Sequence, residues 1–182
     1  MRIKIMGLLI IVSIQSFLVG CSKNSIETEE YKGMDLKIGV IGEIPEVREK
    51  NIKFVELELK DIKEPHRLEE LDAVFIMKEN LIEAANDKYV ESYQSGVLPF
   101  FFIESEKSYL PFVVAGASYE GTKDVQDGSY ATGYLNDPKT KGEMKYWGYG
   151  LYNDIWNEEN IKDAYSRIFD TISELNIVNN KL

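Results

Sequence analysis

Leu36-Lys37-Ile38-Gly39-Val40-Ile41-Gly42 is a short apolar run ended by glycine, the pattern of a central strand covered on both faces. From Phe54 the stretch Ile52 to Leu59 alternates, with Val55, Leu57 and Leu59 on one side, and predicts a half-buried strand. The polar stretch Asp61 to Leu71 follows, where Pro65 fits a helix only in its first turn. Asp72 to Met77 reads as another buried strand. Glu79 to Tyr93 places Leu81, Ile82, Ala85, Tyr89, Val90 and Tyr93 near one stripe, predicting a helix that Gly96 ends. Val97 to Ile103 predicts a fourth strand with Pro99 near its start, where a ladder donor can be spared. Phe112-Val113-Val114-Ala115 is expected to supply a fifth. Glu158 to Leu175 predicts a closing amphipathic helix with Ile161, Ala164, Tyr165, Ile168, Phe169 and Ile172 inward.

Strands that are apolar on both faces and separated by helical or loop segments imply βαβ crossovers. The expected fold class is therefore α/β: a three-layer, mostly parallel sheet of about five strands with helices on both faces. One segment resists this scheme. From Gly116 to Asn157 the chain is rich in Gly, Tyr, Asp and Lys with little periodicity. A structureless loop of that length is either functional or hides short strands, and Tyr146 to Tyr152 is a candidate for one.

The chain begins with a different pattern. Arg2 and Lys4 precede an almost unbroken apolar run from Ile5 to Leu18, interrupted only by Ser13, Gln15 and Ser16. This is the pattern of a secretory signal peptide. A run of roughly 14 residues is too short for a mature spanning helix, which needs about 20. Leu18-Val19-Gly20-Cys21-Ser22 resembles the lipobox of bacterial lipoproteins, with small Gly20 before the cysteine and a branched apolar residue three positions before it. The resemblance covers only residues 1–22. It implies that the Cys21 sulfur carries diacylglycerol and that Cys21 becomes the mature, acylated N-terminus. Two acyl chains meet the condition for stable anchoring, which one chain does not. Cys21 is the single cysteine of the chain, so no intramolecular disulfide can form. The expected organisation is a signal peptide at 1–20, a lipidated tether at 21–35 and one α/β domain at 36–182, held to the extracytoplasmic face of the cell membrane. A free coil over the tether would place the domain within about 20 Å of the bilayer.

Composition narrows the partners. Arg2 and Lys4 are the only charged residues before Cys21, so the mature chain carries 19 basic against 31 acidic side chains. An acidic surface without a basic stripe repels phosphate backbones and anionic headgroups, which excludes nucleic acid as a partner and leaves membrane contact to the lipid. The 162 residues from Cys21 to Leu182 suffice for one core of ordinary size. That is half of what a two-lobed solute-binding lipoprotein requires, which argues against a transporter receptor.

Candidate chemistry is sparse. In open parallel sheets, ligands bind outside the carboxyl ends of the strands, where this sequence offers Glu43, Lys78-Glu79 and Glu104. Glu43 and Glu104 are the candidates for a carboxylate pair, acting in acid/base work or as hard ligands to a cation; the alternative is carboxylates favoured at helix N-termini. Gly39-Val40-Ile41-Gly42 lacks the Gly-x-Gly-x-x-Gly spacing of a dinucleotide site. Gly116 to Lys123 inverts the Lys-Thr order of a phosphate loop, so no cofactor is expected. His66 is the only histidine, so no histidine cluster for a metal exists, and no Gly-x-Ser-x-Gly elbow is present.

Aromatic residues are dense at Tyr130, Tyr134, Tyr146, Trp147, Tyr149, Tyr152 and Trp156, set among Gly133, Gly148 and Gly150. Rings beside glycines can form a stacking platform, or they can cover the sheet from an edge strand. Tyr134, Tyr146, Trp147 and Tyr149 join Glu43 and Glu104 as candidate binding residues. The expected function is a non-catalytic, membrane-anchored domain that binds a small ligand, cell-wall component or protein partner. The alternative is an envelope enzyme using strand-end carboxylates, with or without a cation.

Overall fold

The three runs that are apolar on both faces and the half-buried one pair side by side. They form β1 (Leu36–Ile41), β2 (Ile52–Leu57), β3 (Ala73–Ile76) and β4 (Phe100–Ile103), all parallel. A hairpin, β5 (Ala131–Asp137) and β6 (Glu143–Tyr149), continues the sheet antiparallel to them. The strand order is β2-β1-β3-β4-β5-β6. The structure, a computed structural model, describes residues 28–95, 98–125, 128–137 and 143–180. Cys21, the apolar leader and Gly96 lie outside the described residues.

The protein is thus α/β, with six strands in a mixed sheet where about five, mostly parallel, were expected. The additional strands come from the segment that lacked periodicity. β5 is central and its side chains from Ala131 to Leu135 are buried, so no alternation marks it. Gly133 makes room within it: a Cβ there would lie 2.8 Å from the Phe101 ring and 3.0 Å from the Trp147 ring.

Both faces of the sheet are covered. On one, α4 (Glu158–Asn180) lays Ala164, Tyr165, Ile168, Phe169 and Ile172 over Ile38, Val40, Phe75 and Phe101. Phe75 is fully buried there, its ring 6.1 Å from Phe169, 6.0 Å from Tyr165 and 5.7 Å from Phe101. On the other lie α1 (Leu81–Ala84), α2 (Val90–Ser95) and α3 (Leu110–Val113), packed with Ile62 and Leu71 over Val74, Ile76, Phe100 and Phe102. Among the described residues no helix is long and apolar enough to cross a membrane.

Three expectations change. The helix over Glu79 to Tyr93 is broken at Asn86, whose backbone is extended (ψ 138°) and whose side chain accepts a hydrogen bond from the Lys88 N–H at 3.1 Å. An Asn side chain that bonds its own backbone competes with helix propagation. Of the expected fifth strand at Phe112–Ala115, Phe112 and Val113 instead end α3, which has Pro111 in its first turn, and Phe112 stacks on Phe102 at 3.5 Å. The segment expected to be loose tether belongs to the body from Thr28 onward: Tyr31 is 4% exposed, and its ring packs 6.0 Å from Phe169.

Since no disulfide supports this core, truncating its central ring is costly. Phe75→Ala is expected to lower the unfolding free energy by about 3–5 kcal/mol, measured by urea titration. A loss under about 1 kcal/mol would show that the two aromatic layers are not packed as described.

Candidate functional site

The strand order reverses between β1 and β3. After β1 the chain turns over the α4 face to reach β2, whereas after β3 it turns over the opposite face to reach β4. The two connections leave on opposite faces of the sheet at the carboxyl ends of the strands, the place where open α/β sheets bind ligands. A cleft of about 530 Å³ opens there, lined by residues 43–46 after β1, 77–79 after β3, Glu104 after β4, Tyr130, and 156–158, 161, 162 and 165 from the start of α4.

Each wall has a local cause. Gly42 takes φ +117°, and a Cβ on it would fall on the Glu79 carboxylate and on Met77. That close approach lets Glu79 accept the Glu43 N–H at 2.7 Å, and Asn80 donates to the Ile41 carbonyl at 3.3 Å. The β1 and β3 loops are thereby tied together. Glu104 sits in the left-handed region at φ +56°, a conformation that costs a non-glycine residue about 1–2 kcal/mol. Its carboxylate meets Lys78 Nζ at 3.3 Å.

The fourth wall comes from the helix start. Asn157 caps α4 by accepting the Asn160 N–H at 2.8 Å. Buried Asn160 in turn donates to the carbonyls of Tyr152 at 3.2 Å and Ile155 at 2.8 Å. This loop delivers Trp156, half exposed, with its ring 5.4 Å from Tyr130 and Lys78 Nζ 5.9 Å above it. Tyr130 rests on Tyr165 edge to face at 6.0 Å. Burial pushes the Tyr130 phenol up to about 12 and the Tyr165 phenol higher still, with the nearby Glu104 charge adding to both. Neither phenol is an acid or base near neutral pH.

Glu43 and Glu104, expected at the strand ends, share this cleft. Tyr134, Tyr146, Trp147 and Tyr149 do not line it. Tyr134 is buried on the opposite face against Tyr109, 5.4 Å between rings. Tyr146 is exposed on β6 and stacks on Tyr109 at 5.0 Å. Trp147 covers Phe101 at 6.1 Å, and buried Tyr149 donates its hydroxyl to Thr171 at 2.8 Å. Tyr146, Trp147 and Tyr149 instead line a separate, smaller groove of about 360 Å³ with Tyr109 and Thr132. The aromatic residues that do face the cleft are Tyr130, Trp156 and Tyr165; the first two belong to the dense aromatic segment, and nothing in their spacing distinguishes them.

Five glutamates line the cleft, Glu43, Glu46, Glu79, Glu104 and Glu158, against Lys78 and Lys162. Lys78 is taken by Glu104 and Lys162 by Glu158. Among the described residues no group of three or more His, Cys, Asp or Glu could hold a metal ion. His66 lies elsewhere, 3.5 Å from Glu64. The cleft is therefore an acidic mouth with one exposed ring, Trp156, backed by the buried Tyr130 and Tyr165; such a site can hold an organic ligand through stacking on Trp156 and carboxylate hydrogen bonds. Comparison with protein-family models, with known proteins and with solved structures finds no match.

Buried phenols make the fold sensitive to alkali. Tyr130 and Tyr149 are both raised to about 12 by burial, against about 10 in an unfolded chain. The folded protein therefore holds more protons than the unfolded chain above pH 10, so stability falls as pH rises from about 10 towards 12. Tyrosinate absorbance is expected to rise together with loss of the fold in that window. Titration of every tyrosine near pH 10 with the fold intact would contradict this.

Proposed function

We propose that the protein is a lipid-anchored, extracytoplasmic, non-catalytic domain that binds a small organic ligand in the cleft at the carboxyl ends of β1, β3 and β4. The observation that carries this reading is the cleft itself. Its volume lies within the roughly 300–1,000 Å³ of small-molecule sites, it sits where the strand order reverses, and it pairs an exposed aromatic ring with carboxylates. The excess of glutamates disfavours anions, so the ligand is neutral or cationic, with a flat or apolar face to lie on the exposed Trp156 ring. The anchor rests on the lipobox-like residues around Cys21.

Two measurements test the parts separately. In a thermal-shift screen of amines, sugars, short peptides and organic anions, the first three classes are expected to contain binders and the anions none. Trp156→Ala and Glu43→Gln should remove the shift while changing the stability of the free protein by no more than about 0.5 kcal/mol, since both side chains are exposed. Binding that survives both substitutions would rule the cleft out. For the anchor, acyl labelling and membrane retention are expected to vanish in Cys21→Ala; unchanged retention would mean that another feature holds the protein at the membrane.

The meeting of Glu43 and Glu104 in one cleft favours a second reading, an envelope enzyme working through carboxylates. Turnover of any bound compound that is lost in Glu43→Ala and Glu104→Ala, with folding retained, would establish it over the first.

A further inference from the structure

The strap from Thr28 to Asp35 runs along α4, and its direction bears on how the cleft is presented. Asp35 leads into β1 at the amino ends of the strands, where Asn176 of α4 meets Asp72 at 2.7 Å. Tyr31, earlier in the chain, packs on Phe169. Thr28 lies earlier still and higher on the helix: Arg48 binds the Thr28 carbonyl and hydroxyl, each at 3.0 Å, and the Glu29 carbonyl at 2.8 Å, while its guanidinium also donates to Ser166 at 2.8 Å. Followed towards the N-terminus, the strap thus climbs α4 towards Ile161 and Lys162, which line the cleft. Ser166 is one turn from Lys162.

The strap is fastened firmly. Glu49, fully buried at its side chain, accepts the Tyr31 N–H at 3.1 Å and the Ser166 hydroxyl through Oε1, and lies 3.6 Å from Arg48. Removing one partner of such a buried pair leaves an uncompensated charge and is costly. Only seven peptide units separate Cys21 from Thr28. They reach at most about 25 Å, less than the roughly 30–40 Å across a domain of this size.

Resting on the reading of Cys21 as the lipid anchor, we propose that the Arg48–Glu49–Ser166 clamp holds the cleft end of the domain beside the bilayer, so that the cleft takes its ligand from the layer next to the lipid. The clamp, not charge, imposes this seat. The acidic mouth is repelled by anionic headgroups, so the orientation is clearest on zwitterionic lipid.

The test uses the full-length lipidated protein, extracted from membranes and reconstituted into phosphatidylcholine vesicles that carry a trace of dansyl-labelled headgroups. The chain has two tryptophans, so Trp147→Phe leaves Trp156 in the cleft as the sole donor of energy transfer. The far-end reporter is Glu69→Trp in a Trp147→Phe, Trp156→Phe background; Glu69 is exposed and precedes the amino end of β3. Transfer from Trp156 is expected to exceed that from the far-end reporter severalfold. It should fall towards the far-end value when Arg48→Ala releases the strap, and equally when a Gly-Ser spacer is inserted before Thr28 with the clamp intact. The spacer variant covers the case in which Arg48→Ala fails to fold. Equal or greater transfer from the far end, or no effect of the spacer, would overturn the orientation. Loss of acylation in the parent would instead defeat the lipid anchor, which the Cys21→Ala control reports on its own.

Discussion

The packing of Phe75 against Phe169 and Tyr165 fixes α4 on the sheet, and the rest of the structure depends on where α4 lies. From that one helix come a wall of the cleft (Ile161, Lys162 and Tyr165), the seat of the strap (Ser166 and Phe169) and the support of the outer hairpin through Tyr149 and Thr171. Aromatic pairs add about 0.5–1.5 kcal/mol each beyond the area they bury, and here they come as a set: Phe101, Phe75, Tyr165, Phe169 and Tyr31 touch in sequence. With a single cysteine in the chain, no covalent link shares the load.

Given that helix position, the cleft follows from topology. A sheet that grows to one side from β1 and to the other from β3 must part its loops between them. What the sequence adds is a set of local concessions at that point. Gly42 gives up a side chain so that the loops can close on Glu79, and Glu104 accepts a left-handed backbone that places its carboxylate beside Lys78. Asn153 and Asp154, also at positive φ, turn the chain just before Trp156. Three non-glycine residues in this region of conformational space, all near one cleft, represent a cost that the fold does not need for its core.

How far this was legible follows from the same physics. β1, β3 and β4 are buried on both faces, and continuous apolar runs announce that; α4 is long and exposed on one side, so its stripe is plain. Glu43 and Glu104 are legible because position just after a strand is a topological property, independent of how the rest of the chain folds. Other elements fail for definite reasons. β5 is buried on both faces with Thr, Gly and Tyr in place of branched aliphatics, because its neighbours are rings that need room. Phe112–Ala115 is a short apolar run, and such a run does not distinguish a strand from a turn of helix without its partner. The aromatic segment splits between the sheet and the cleft according to which residues fall on β5 and β6 and which on the loop before α4, a division invisible until the hairpin register is known. The strap gives the weakest signal: one tyrosine in a polar stretch does not announce burial, which here depends on Arg48 and Glu49 from a distant loop.

Charge then decides what the cleft can hold. Lys78 is engaged by Glu104 and Lys162 by Glu158, so the two cations of the cleft are largely compensated before any ligand arrives. Glu43 and Glu46 make no direct ion pair among the described residues, and both stand exposed at the mouth. An anion entering there would meet Glu43 and Glu46 first, with Lys78 and Lys162 already held by Glu104 and Glu158. A neutral polyol would find acceptors, and a cation would find both acceptors and a favourable field that weakens with salt. The Trp156 ring rewards a flat or apolar face in either case. Specificity of this kind comes as much from what the mouth repels as from what the ring attracts.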